Sequence, residues 1–210
     1  PDYSSAASDV YKRQDFELDE CQIGCLLGPS GCGKTTVLRS IAGFEQPSRG
    51  EISLNGKKLN GFKTHVDPEK RNIGMVFQDI ALFPHLSVEE NIQFGMRSWS
   101  HEKRKKRSQE LLDLIGMSQF MKKYPHQLSG GQQQRIALAR AMAPKPSLLL
   151  MDEPFSSLDI ELREQLAREV RLILKHENIS ALLVTHDQNE AFAMGDNICV
   201  PVSYTHLTLP

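Results

Sequence analysis

The sequence predicts an α/β fold, and three observations predict it. Short apolar runs that stop at a glycine or an acidic pair recur along the chain, with helical spacing between them. Asn55-Gly56 lies inside an alternating stretch, the mark of an antiparallel hairpin. From 84 to 143 strand signals vanish, so a helical insertion interrupts the alternation. The expected domain spans 15–200, with an antiparallel β subdomain and an α-helical subdomain at about 84–143 set into the core.

Each element has its own signal. "IGCLL" (23–27) is a short buried strand that ends at Gly28, and "KTTVLRSIAG" (34–43) follows with helical spacing and a terminal glycine. "GEISLNGKKL" (50–59) alternates around the Asn-Gly turn. "NIGMVFQ" (72–78) is a further strand. Ser87 and Glu90 make a capping box, Leu111, Leu112, Leu114 and Ile115 form an apolar stripe, and Pro144 ends the helix containing "RIALARAMA". Strands return at "LLLM" (148–151) and "ALLV" (181–184). Between them lies a helix with apolar residues at Leu158, Leu162, Leu166, Val170 and Ile173.

Composition narrows the function classes. At 210 residues the chain is long enough for one domain with a sizeable core. Its 25 Lys+Arg against 26 Asp+Glu give no overall pull towards nucleic acid or acidic lipid. No apolar run approaches the roughly 18 residues a membrane span needs, so a membrane role comes through a partner. Cys21, Cys25, Cys32 and Cys199 have neither paired CxxC spacing nor a disulfide framework, which points to a reducing cytoplasm and away from zinc. The two ends, 1–14 and 201–210, have no periodicity that continues inward. They resemble translated sequencing-adapter strings, so they are read as non-native and the natural domain as cut at both ends.

"GPSGCGKTT" (28–36) fits G-x-x-x-x-G-K-[ST] and stands where that motif works, after a strand and before a helix. Glycines let the backbone wrap a phosphate with its N–H groups, and the helix N-terminus adds its dipole. Gly28, Pro29, Ser30, Gly31, Cys32, Gly33, Lys34, Thr35 and Thr36 therefore form a nucleoside triphosphate site, with Lys34 reaching the β- and γ-phosphates and Thr35 ligating Mg²⁺. The loop alone leaves GTPase, kinase and ATPase open. No N-K-x-D guanine reader occurs, and "DLIG" (113–116) falls on an amphipathic helix.

Three further strand ends deliver polar residues to the edge where open α/β sheets bind ligands. "LLLMDEP" (148–154) brings Asp152, placed to hold Mg²⁺ directly or through water, and Glu153, placed to act as general base on the attacking water. "VTHD" (184–187) brings His186 within reach of the γ-phosphate, where it orients Glu153 and water. Gln78 closes its strand with an uncharged amide that can ligate Mg²⁺ or water.

"LSGGQQQR" (128–135) is a second anion-ready helix start, formed by Ser129, Gly130, Gly131 and Gln132, which precede a helix running through Arg140. It lies in the helical insertion, which a compact domain holds away from its own phosphate loop. The consistent resolution is that it serves a second copy of the chain. Two chains stacked head to tail would bury two ATP molecules between the loop of one and "SGGQ" of the other.

Taken together these motifs resemble the nucleotide-binding subunits of ATP-binding-cassette (ABC) transporters over about residues 15–200: phosphate loop, Gln78, "LSGGQ", "LLLMDEP", "SSLD" (156–159) and "VTHD" occur in that family's order and spacing. The resemblance implies a P-loop NTPase core of RecA-like type and ATP-driven dimer closure, with Ser129, Gly130 and Gly131 acting in trans, Asp159 signalling across the interface and His186 as the switch histidine. The family stacks adenine on an aromatic residue upstream of the loop, and Tyr11 is too close to Gly28 to take that role. Residues 65–95 look like binding-protein-dependent importers, especially those for ferric iron and polyamines. That likeness implies a peripheral subunit on the cytoplasmic face of the inner membrane, a separate transmembrane permease whose coupling helix meets the stretch around Phe83 and Pro84, and, indirectly, a periplasmic solute-binding protein. A chromosome-maintenance or DNA-repair ATPase would need a long coiled coil between 36 and 128, for which there is no room. A ribosome-acting ATPase would normally carry two cassettes. "HEKRKKR" (101–107) reads as a solvated face, so no nucleic-acid partner is expected.

Overall fold

The computed structural model describes residues 15–47 and 49–200. The expectations placed on 1–14, on Tyr11 and on 201–210 lie outside the described residues. Strand β1 (Ile23–Leu27) runs into the phosphate loop and helix α1 (Lys34–Ala42). Strands β2 (Ile52–Leu54), β3 (Lys57–Gly61) and β4 (Thr64–His65) follow, then β5 (Ile73–Val76). Helices α2 (Val88–Gln93), α3 (His101–Leu114) and α4 (Gly130–Met142) fill the strand-free stretch. The chain then continues through β6 (Leu148–Asp152), α5 (Ile160–His176), β7 (Ala181–Thr185), α6 (Gln188–Met194) and β8 (Asn197–Cys199).

The core sheet has the order β5-β6-β7-β1-β8, and every neighbouring pair is parallel. Register aligns Leu27 with Thr185, Val184 with Asp152 and Met151 with Val76, so the carboxyl ends of four strands open onto one edge. β1, β6 and β7 are buried along their whole length, which explains their unbroken apolar runs. Alternate side chains serve opposite faces. Leu26, Leu148, Leu150, Leu182 and Val184 join Leu38 and Ala42 of α1 in one cluster, whereas Ile23, Cys25, Leu149, Met151, Ala181 and Leu183 join α4, α5 and α6 in the other.

The separate sheet β2-β3-β4 is antiparallel. Asn55 (φ 50°) and Gly56 (φ 72°) are both left-handed, as a two-residue hairpin turn of this hand requires. Arg71, 2% exposed, joins the stretch after this sheet to α1 by donating to the carbonyls of Val66, Ser40 and Ile41. Gly43 makes that possible: its φ is +93°, and a Cβ there would stand 2.5 Å from Arg71 Nε. The guanidinium occupies the carboxyl end of the phosphate-loop helix, where positive charge is favoured.

Ser87 and Glu90 form the expected capping box. Two boundaries differ from the sequence expectation. Leu158 is buried but precedes α5, because Asp159 Oδ1 accepts the Leu162 N–H and the helix starts at Ile160, two residues later. Gly130 and Gly131 lie inside the first turn of α4, because the N-cap is Ser129, whose hydroxyl accepts the Gln132 N–H while Gln132 Oε1 accepts the Ser129 N–H. No helix among the described residues is long and apolar enough to cross a membrane.

Candidate functional site

The loop after β1 is shaped by Gly31 (φ +83°) and Gly33 (φ +94°), both in a region that side chains disfavour. Gly33 caps α1 without a side-chain acceptor, and no acidic residue stands in the first turn, so nothing negative competes for these N–H groups. Lys34 is 4% exposed, and its ammonium donates to the carbonyls of Gly28 (2.7 Å) and Pro29 (2.8 Å). Cys32, buried, brings its sulfur 3.7 Å from the same nitrogen. A lysine buried without a carboxylate partner is costly. Phosphate oxygens are the natural counter-charge for this one.

Across the sheet edge, Thr35 Oγ1 donates to Asp152 Oδ1 at 3.1 Å. Burial pushes the Asp152 carboxyl above its usual range, a penalty that a cation beside it would relieve. A hydroxyl and a carboxylate in contact are hard oxygen donors, so this pair fits Mg²⁺.

Glu153 follows with φ +44°, a conformation that a side-chain-bearing residue holds only where its surroundings fix it. Here they do. The Glu153 N–H donates to Val184 O (2.9 Å), and its carbonyl accepts both the N–H and the hydroxyl of Ser156 (3.2 and 2.9 Å). The strained turn aims the carboxylate at His186, whose Nδ1 stands 3.0 Å from Glu153 Oε2. In the tautomer that carries its proton on Nδ1, His186 donates to this carboxylate, and Nε2 has no partner among the described residues.

Gln78 stands beyond the end of β5, exposed, and lines a groove of about 480 Å³ together with Asp79, Leu82, Pro84, His126 and Gln133. Pro84 is exposed as a docking residue would be. Phe83 is not: its ring lies 4.2 Å from that of Phe94, and the Arg140 guanidinium covers it at 5.4 Å.

The structure thus brings together Lys34, Thr35, Asp152, Glu153 and His186, with Gln78 at the next strand end. Ser129, Gly130, Gly131 and Gln132 stand apart, and among the described residues no hydrogen bond joins 128–135 to 28–36. Their neighbour is the segment 156–162 instead: a Cβ on Gly130 would meet Leu158 at 3.7 Å, and one on Gly131 would meet Leu162 at 3.3 Å. Asp159 is the N-cap of α5. One residue escaped the sequence reading. Arg163, one turn into α5, binds both loops that flank the acid–histidine pair, and no local motif marks it.

A strand-loop-helix with a buried lysine, a Thr–Asp oxygen pair and an acid–histidine pair on one edge of a parallel sheet defines a P-loop nucleotide-binding protein. More narrowly, the chain belongs to the ABC transporter family, whose model matches residues 11–156. It is 48% identical over 188 residues to the Fe(3+) ions import ATP-binding protein FbpC 2 of Rhizobium meliloti, covering 89% of this chain and 47% of that protein. It is 49% identical over 177 residues to the spermidine/putrescine import ATP-binding protein PotA of Roseobacter denitrificans (83% and 48% covered). With the sulfate/thiosulfate import ATP-binding protein CysA of Synechocystis it shares 47% over 188 residues (89% and 52% covered). The chain therefore spans about half the length of the curated relatives it matches. Among solved structures it is similar to the ATP-binding cassette MJ0796 in a dimeric post-hydrolysis state bound to ADP and Pi, with TM-score 0.74 and 34% identity, covering 89% of this chain and 83% of that one. A second dimeric structure of MJ0796 aligns with TM-score 0.75 and 33% identity, over the same shares of the two chains.

Proposed function

We propose that this chain is the ATP-hydrolysing subunit of a binding-protein-dependent importer. It works as a head-to-tail dimer on the cytoplasmic face of the inner membrane, bound to transmembrane permease subunits that receive cargo from a periplasmic solute-binding protein. The Glu153–His186 contact carries the reading, because Glu153 directly follows the Asp152 that accepts from Thr35 of the phosphate loop. The loop N–H groups and Lys34 hold the β- and γ-phosphates. Mg²⁺, held by Thr35, Asp152 and Gln78, would supply charge neutralisation on the phosphate oxygens. Glu153 takes a proton from water as the water oxygen bonds to the γ-phosphorus. The bond from that phosphorus to the bridging oxygen breaks, and ADP and phosphate leave. His186 holds the carboxylate in line. The start of α4 at Ser129 completes the site on the second copy, a reading supported by the lack, among the described residues, of any hydrogen bond between 128–135 and 28–36 and by the dimeric state of the similar cassette.

The cargo we propose is ferric iron, as in the FbpC relatives. The PotA and CysA relatives match about as well, so polyamine and sulfate are the competing outcomes. Deletion of the gene tests this: uptake of ferric iron should fail while spermidine and sulfate uptake persist. Loss of spermidine or sulfate uptake instead reassigns the cargo. Intact uptake of all three, in a strain where no paralogue substitutes, overturns the iron assignment and leaves another small solute as the cargo.

A further inference from the structure

Arg163 lies one turn into α5, and its side chain is 16% exposed. Its Nη2 donates to the carbonyls of Ser156 (3.3 Å) and Leu158 (3.0 Å), and Nη1 donates to Asp187 Oδ2 (3.1 Å). Nε stands 3.4 Å from Glu190 Oε1, at ion-pair distance without hydrogen-bond alignment. One planar group therefore touches the loop that follows β6 and the turn that follows β7.

Both contacts lead back to the acid–histidine pair. On one side, Ser156 is bonded through its N–H and hydroxyl to the carbonyl of Glu153. On the other, Thr185 donates to Glu190 Oε2 and accepts the Asp187 N–H at 3.0 Å, which fixes the residues on either side of His186. The circuit Glu153, Ser156, Arg163, Asp187, Thr185, His186 closes where His186 meets Glu153.

We infer that Arg163 is a positioning residue: by stapling the loop 156–159 to the turn 185–190, it sets the Glu153–His186 pair and passes to it any displacement of the Asp159 loop. The inference rests on the hydrolytic reading above. Helix capping alone would not need it, since Asp159 already caps α5 and Asp187 caps α6. Nη1 reaches the carboxylate while Nη2 reaches both carbonyls, a fixed separation of donors in one plane that a single ammonium nitrogen does not supply.

The test is steady-state MgATP hydrolysis by the purified full-length protein and its variants. Arg163→Ala should lower kcat about tenfold or more while KM and nucleotide affinity stay within about twofold, because small misplacements of a reacting pair are costly and the phosphate loop is untouched. Millimolar guanidinium chloride should restore part of the lost kcat in that variant and do nothing for wild type. Arg163→Lys keeps a positive charge facing Asp187 and Glu190 and should fold, yet retain a kcat deficit; it carries the test if the alanine variant does not fold. Arg168→Ala, on an exposed pair of the same helix, should match wild type. A kcat for Arg163→Lys within about twofold of wild type overturns the inference, as does a loss explained by raised KM or by unfolded protein without a guanidinium response. Glu153→Gln separates the two readings. Wild-type turnover in Glu153→Gln removes the hydrolytic assignment itself, whereas an inactive Glu153→Gln beside an active Arg163→Lys removes this inference alone.

Discussion

His186 Nδ1 stands 3.0 Å from Glu153 Oε2, so the proposed base and the ring proposed to orient it are one unit, already formed in the single chain. Replacing Glu153 by glutamine keeps its size and its capacity to accept from His186 but removes the basic oxygen. Turnover should fall about 10²- to 10⁴-fold, the usual worth of a general base. ATP binding should survive, because Lys34, Thr35 and Asp152 are unaltered. Single-turnover hydrolysis paired with equilibrium nucleotide binding separates the two quantities; unchanged turnover would reject the base.

Ser129 offers a way to test action in trans without unfolding the helix that carries it. Its hydroxyl caps α4, and aspartate caps a helix about as well as serine, so Ser129→Asp keeps the cap while presenting a negative charge to any phosphate there. Lys34→Ala and Ser129→Asp chains should each be nearly inactive alone. Mixed, a heterodimer assembles one site from two undamaged halves, and activity should partly return. Were "SGGQ" to serve its own chain's nucleotide, every site would keep one lesion and mixing would recover nothing. Crosslinking between cysteines introduced at Ser30 and Ser129 covers the case in which both sites must fire together: crosslinks only within one chain reject the stacked dimer.

Much of this was legible in the residues. The parallel strands announce themselves as apolar runs because both faces are covered, and the hairpin as Asn-Gly because two left-handed residues are needed in a row. The phosphate loop, Asp152, Glu153 and His186 were legible because each sits at a fixed offset from such a strand. The starts of α4 and α5 were not, to within a residue or two. Whether Ser129 or Gly131 opens α4 is decided by a hydrogen bond, not by a pattern. Arg163 and Arg71 were illegible for a stronger reason: their partners are carbonyls and carboxylates far along the chain or set by turn geometry, which carry no residue-type signature.

The buried cysteines should separate by chemistry. Cys25 is fully buried, and burial pushes its thiol up to about 12, so it should resist thiol reagents until the protein unfolds. Cys32 lies in the phosphate loop beside Lys34. In a background with Cys21 and Cys199 replaced by serine, a bulky maleimide should react at Cys32 and block ATP binding, and MgATP should protect it. Equal labelling rates with and without MgATP, read by mass spectrometry, would count against nucleotide lying over this residue.

Asp196 ties the start of β1 to α5. Its Oδ2 accepts the Ile23 N–H (2.8 Å) and Lys175 Nζ (2.6 Å), and its Oδ1 accepts Arg171 Nη2 (2.6 Å). Burial works to raise its carboxyl, but Lys175, the Ile23 N–H and Arg171 outweigh it and hold the pKa at about 2, below the ordinary 3.8. A depressed folded-state pKa means that the contribution is fully present above pH 3.8 and is lost as the pH falls through about 2. Asp196 lies at the surface, where solvent screens its ion pairs, so the contribution is about 1 kcal/mol or less. In Asp196→Asn the amide oxygen would still accept the Ile23 N–H, so this substitution isolates the charge. Urea unfolding should show the variant less stable by about that amount at pH 7. The gap between the two proteins should close as the pH falls from about 5 towards 2, because every other carboxylate titrates in both. A gap that stays constant across that window would mean that the cost comes from altered packing, and that the two cations do not hold the strand through charge.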